Sequence, residues 1–91
     1  MGLFLLNKNT KTVETTTEVF LMTVELKIKE IREQSGISIR DLSEETGIER
    51  HRLSEIEDNV DKILFIEMLV IAENLGKKIT DLYETGTLEL Q

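Results

Sequence analysis

Apolar positions in the middle of the chain recur with a helical period. Val24, Ile28 and Ile31 are spaced by four and three residues, Leu26 lies close by, and Gly36 stands where a helix C-terminus favours glycine. This spacing predicts a first helix from Val24 to Ser35. A second begins at Ile39, because the Ser38 hydroxyl can accept from one of the helix's unpaired first N–H groups and Asp41 follows three residues later as in a capping box. Leu42 gives this helix its apolar contact, Thr46 ends it, and Gly47 tolerates the left-handed turn that follows. The third helix runs from Arg50 to Glu57, with Leu53 and Ile56 facing inward and Ile48 helping from the turn. Helix four is the most apolar: between Ile63 and Leu75, Phe65, Met68, Leu69, Ala72 and Leu75 mark one face. Ile63, Leu64, Ile66, Val70 and Ile71 widen that face beyond a single stripe, which predicts burial on a second side. Gly76 stops it, and Ile79 to Glu84 add a final turn, with Leu82 and Tyr83 packing back on the bundle.

The ends follow a different pattern. Thr10 to Thr23 holds six threonines together with Val13, Val19 and Phe20, an enrichment that favours extended chain. Leu3 to Leu6 and Val19 to Met22 can pair as a hairpin around Asn7-Lys8-Asn9, and Thr87 to Gln91 alternates polar and apolar like a short strand. Two readings stay open here, flexible tails or a small sheet that packs on the bundle or on a second subunit. The organisation is therefore an N-terminal extension over residues 1–23, a helical domain over 24–84 and a C-terminal tail over 85–91.

Composition narrows the function. With 91 residues, 40% hydrophobic and 32% charged, the chain has the balance of one soluble domain, and no apolar run approaches the roughly 20 residues of a membrane helix. Leu3-Phe4-Leu5-Leu6 is too short for a secretory segment and lacks a basic leader, so the expected compartment is the cytoplasm. Cysteine is absent and His51 is the one histidine, which leaves few nucleophiles, no thiolate metal site and no expectation of an enzyme, a metal or another cofactor. His51 and Glu55 lie four apart on one helix face, but two ligands without a third are better read as a solvated surface.

The order of these helices and their punctuation resembles the lambda-repressor-like, Cro-type helix-turn-helix domains of the XRE family. The resemblance covers about Val24 to Tyr83 and rests on Ile28 to Arg32, Ser38 to Leu42, Gly47-Ile48, Leu53 to Glu57, Ile71 to Gly76 and Ile79 to Leu82. It implies a mainly α, five-helix DNA-binding domain, with short strands at the ends an open addition. It also implies that helix two braces across the phosphates and helix three enters the major groove of double-stranded DNA, a homodimer reading two half-sites about 34 Å apart. A helical wheel with Leu53 and Ile56 inward turns His51, Ser54 and Glu55 outward and leaves Arg50 and Arg52 flanking them. Arg50 or Arg52 suits guanine, Glu55 suits cytosine N4, and His51 and Ser54 suit base or phosphate. Arg40 and Lys62 are the phosphate candidates. By the same resemblance Arg32 and Glu57 form a structural ion pair locking helix one to helix three.

The sequence departs from that family at several places. Ile39 stands where glutamine commonly steadies a phosphate contact, Ser43 where alanine is usual, Glu49 where serine or threonine caps helix three, and Asn59 where glycine follows it. Asn59 is expected to take the left-handed conformation. The formal net charge is −7, and Val24 to Tyr83 alone holds nine basic against fourteen acidic residues, where a DNA-binding domain usually shows a basic footprint. DNA binding then requires Arg40, Arg50, Arg52 and Lys62 to share one stripe, with Glu67, Glu73 and Asp81 on the opposite face. Two functions follow: a sequence-specific transcriptional regulator acting as a repressor, or a protein-interaction module with a weakened DNA face, such as an antitoxin or co-regulator binding a protein partner.

Overall fold

Strand pairing, rather than helical period, claims the residues before Ile28. In the computed structural model, which describes residues 9–14 and 20–89, strands β1 (Thr10–Glu14), β2 (Phe20–Leu26) and β3 (Tyr83–Glu89) form one antiparallel sheet in the order β1-β2-β3. Val24 and Leu26 therefore lie on β2 and not on the first helix, which starts at Ile28. The seven residues FLMTVEL are rich in strand formers, and pairing on both sides of β2 outweighs an apolar spacing that happened to read across the junction. Leu26 reaches the core at 2% exposure and so does Ile28 at 0%.

The sheet partners also differ from the expected hairpin. Leu21 and Met22 pair with Glu14 and Val13 on one side and with Leu88 and Thr87 on the other, so neither edge is left for Leu3 to Leu6, which lie outside the described residues. Asn9 is a turn residue just before β1, and its Nδ2 donates to the Leu26 carbonyl at 2.9 Å. The C-terminal strand is present, and it starts earlier than its alternating pattern suggested, at Tyr83 opposite Leu26.

Four α-helices are found among the described residues: α1 (Ile28–Gln34), α2 (Ile39–Thr46), α3 (Arg50–Asp58) and α4 (Phe65–Leu75). The fifth helix of the expected domain is reduced to a 3-10 turn, Ile79–Asp81, because the chain is drawn straight into β3. Another 3-10 turn, Val60–Lys62, links α3 to α4, and Lys11 of β1 reaches its Asp61 at 3.4 Å. The Lys27 amide donates to the Leu82 carbonyl at 2.7 Å, tying the β2–α1 junction to the last turn before β3.

One core serves sheet and helices: Leu26, Ile28, Leu42, Leu53, Ile56, Ile71, Ala72, Leu75 and Leu82 are buried together. The wide apolar face of α4 is only half used. Ile71, Ala72 and Leu75 are buried, whereas Leu64, Phe65, Ile66 and Leu69 are 57%, 68%, 61% and 40% exposed. The expected second buried side of this helix is thus open over its first two turns, and the sheet meets the helical part at the two 3-10 turns instead.

Candidate nucleic-acid interface

The angle between α2 and α3 is held by side chains as well as by glycine. Ser38 caps α2, its hydroxyl accepting from the Asp41 amide at 3.0 Å. Gly47 ends it at φ 78°, a left-handed conformation that a side chain would strain. Ser43, the polar exchange at a close helix contact, is satisfied: its hydroxyl donates to the Ile48 carbonyl at 2.6 Å. Thr46 donates to the Leu42 carbonyl at 2.7 Å and accepts from the Ile48 amide at 3.1 Å, so the turn's polar groups are bonded around its core-packed Ile48. Glu49, as its chemistry suggests, makes no side-chain cap for α3. Asn59 after α3 is extended, φ −137° and ψ 98°, and not left-handed; its side-chain amide instead donates to the Glu55 carbonyl at 3.2 Å.

Leu53 and Ile56 are fully buried, so the predicted rotation of α3 is the one observed. Arg50, His51 and Ser54 are exposed on its outer side, and neither Arg50 nor His51 has an ion-pair partner among the described residues. Ser54 lines an open cleft with Lys29, Ser38 and Ile39, which brings the outer row of α3 beside the start of α2. Arg40 is exposed near that start, 3.4 Å from Glu44 on its own helix.

Arg52 stands apart from this row. Its Nε and Nη2 donate to the two carboxylate oxygens of Glu67 at 2.8 Å each, Nη1 donates to Glu55, and Nη2 also reaches the Lys62 carbonyl at 2.7 Å. Glu55 is further approached by Lys62 Nζ at 3.8 Å. Glu67 therefore does not lie on an opposite acidic face: it is 13% exposed and sits between α3 and the start of α4, where it also accepts from the Leu64 amide at 2.9 Å. Its carboxyl is held below the usual range, first by the Arg52 hydrogen bonds and then by the Leu64 amide, against the opposing effect of burial. Sequence reasoning missed Glu67 as part of this site. The local signal was present, since Glu67 is the third residue of α4 where a carboxylate caps the helix start, but its pairing with Arg52 spans 15 residues.

Arg32 and Glu57 meet as the resemblance implied. Arg32 Nε and Nη2 donate to Glu57 at 2.8 and 3.2 Å, Arg32 Nη1 donates to the Ile37 carbonyl at 2.9 Å, and the pair is 9% and 6% exposed. The bond to Glu57 raises the arginine pKa against the effect of burial, so the charge is kept inside the fold.

Two short helices locked at a glycine turn, the second carrying an exposed polar row, define a helix-turn-helix protein. A family model described as the helix-turn-helix domain matches residues 27–85, well over half of the chain, and the protein belongs to that family. No curated protein matches the chain. Among the described residues no helix is long and apolar enough to cross a membrane.

Proposed function

We propose that this protein is a sequence-specific DNA-binding transcriptional regulator of the XRE, Cro-type class. It acts in the cytoplasm as a repressor, by binding rather than by catalysis. The observation that carries this reading is the exposed row Arg50, His51 and Ser54 on α3, set beside Glu55 and flanked by Arg40 at the start of α2. In this reading α3 enters the major groove, Arg50 pairs with guanine, Glu55 accepts from cytosine N4, His51 and Ser54 take base or phosphate, and Arg40 and Lys62 hold the backbone. Selection from random duplex DNA at low salt tests it: the expected result is an enriched motif with two-fold symmetry. Absence of any enriched motif defeats it.

A symmetric motif requires two copies of α3, and the open first turns of α4 suit a second copy of this chain. Leu64, Phe65, Ile66 and Leu69 form an apolar surface without charge among its four side chains, the composition a self-complementary interface needs. Light scattering of the full chain is expected to give the mass of a dimer, and Phe65→Glu the mass of a monomer with weakened binding to the paired site. A Phe65→Glu chain that remains dimeric assigns the interface elsewhere.

A further inference from the structure

All three donor nitrogens of Arg52 are engaged within the protein, with four of its five N–H bonds used, and that engagement assigns it a role different from contact with DNA. Nε and Nη2 form a two-pronged bond with Glu67, Nη2 also holds the Lys62 carbonyl, and Nη1 donates to Glu55. The guanidinium is planar, so fixing two of its edges on α4 and on the loop before it fixes the direction of the third. That third edge points at Glu55, one of the outward residues of α3.

We propose that Arg52 is a specificity-positioning residue, a clamp anchored on Glu67 that aims the Glu55 carboxylate at its base and carries no base or phosphate contact of its own. This rests on the reading of α3 as the base-reading helix. Two physical needs are met at once. A carboxylate entering a groove lined by phosphates is repelled unless a cation accompanies it, and Arg52 with Lys62 at 3.8 Å supplies that charge. Glu55 also has several rotamers when free, and only those pointing into the groove can accept from a cytosine amino group. Arg52 holds one oxygen, and the carboxylate retains lone pairs for the base. Glu67 is the anchor because it is itself fixed, accepting from the Leu64 amide at the first turn of α4.

The test uses the full chain, its selected site and the set of sites carrying single base-pair changes. Wild type, Glu55→Gln, Arg52→Lys, Arg52→Met and Glu67→Gln are compared for binding, salt dependence and thermal unfolding. Arg52→Lys keeps the charge and loses the fork, and Glu67→Gln loosens the anchor at a residue outside the outer row. Both are expected to lower discrimination by about tenfold at one base pair per half-site, the same pair at which Glu55→Gln loses it, and to leave discrimination at the other pairs within about twofold. Combining Arg52→Lys with Glu55→Gln is expected to remove no further discrimination. A merely structural Arg52 would lower the melting point and leave base preference intact, and that outcome overturns the proposal. So does a uniform weakening on all sites by Arg52→Met with a salt slope smaller by about two, the mark of one phosphate contact in each copy of the dimer. If wild type binds without any base preference, the regulator reading falls and takes the clamp with it. Wild-type preference unaltered by Arg52→Lys and Glu67→Gln removes the clamp alone.

Discussion

Arg32 and Glu57 illustrate how a single buried contact sets the cost of change. With both partners under a tenth exposed, removing one leaves a charge in the interior without its counter-ion. Glu57→Ala is expected to destabilise the protein by about 3 kcal/mol or more in urea unfolding, and replacing both residues by apolar side chains of similar volume to recover most of that. Equal losses for the single and double variants would show that the pair itself, and not the stranded charge, carries the stability. Glu67 adds a pH dependence of definite sign. Its folded pKa lies below the ordinary value of 4.5, so the stability it lends is complete above that value and is lost as pH falls through the folded one. Glu67→Gln should therefore melt below wild type at pH 7, and the gap should narrow as pH falls below 4.5. A gap that stays constant would remove the charge of Glu67 as its cause. The exposure of the α3 side chains was legible to different degrees: His51 and Ser54 follow from the wheel of α3, whereas Arg50 and Arg52 were both placed at its flanks, and only Arg52 is captured by an acid brought close by the fold.

At the scale of elements, local chemistry read well wherever the determinant was local. Ser38 and Gly47 bracket α2 as their chemistry predicts, and Leu53 with Ile56 sets the rotation of α3. The misplaced element boundaries came from the sheet. Val24 sits at a helical distance from Ile28 with Leu26 close by, but β3, nearly sixty residues away, supplies hydrogen bonds that make their segment a strand. The same strand truncates the expected fifth helix, and no local pattern announces a partner so distant. Gly86 gives this pairing a sharp test. It faces Thr23 across β2–β3, and a Cβ built there would lie 2.9 Å from the threonine hydroxyl oxygen. Gly86→Ala is expected to cost about 1–3 kcal/mol by overpacking, and Thr23→Ala to restore much of the loss in the double variant, as read by thermal unfolding. Additive effects of the two changes would mean that Gly86 is needed for its backbone alone. Gly47→Ala should cost about 1 kcal/mol or more for a different reason, the left-handed φ of 78°.

The chain is acidic, and several of the cations among the described residues are paired with its own carboxylates. Lys62 approaches Glu55, Arg40 approaches Glu44 and Arg52 is held by Glu67 and Glu55. A dimer reaching the backbone mainly through Arg40 and Lys62 of each copy neutralises about four phosphates, so the logarithm of affinity should fall with the logarithm of salt at a slope of about −4. A slope near −8 would show that further lysines reach the backbone. The bond network between Lys27 and Leu82, and the ladder from Leu26–Tyr83 outward, have a consequence for how the chain acquires its shape. Joining Leu26 to Tyr83 closes a loop that contains all four helices, and loop closure of that length is entropically slow beside helix formation. During synthesis all four helices emerge before β3 does, so they can pack while β2 still waits for this partner strand. A chain halted at Leu82 should show helical circular dichroism with weakened cooperativity of unfolding, and supplying β3 sets the moment at which assembly becomes all-or-none.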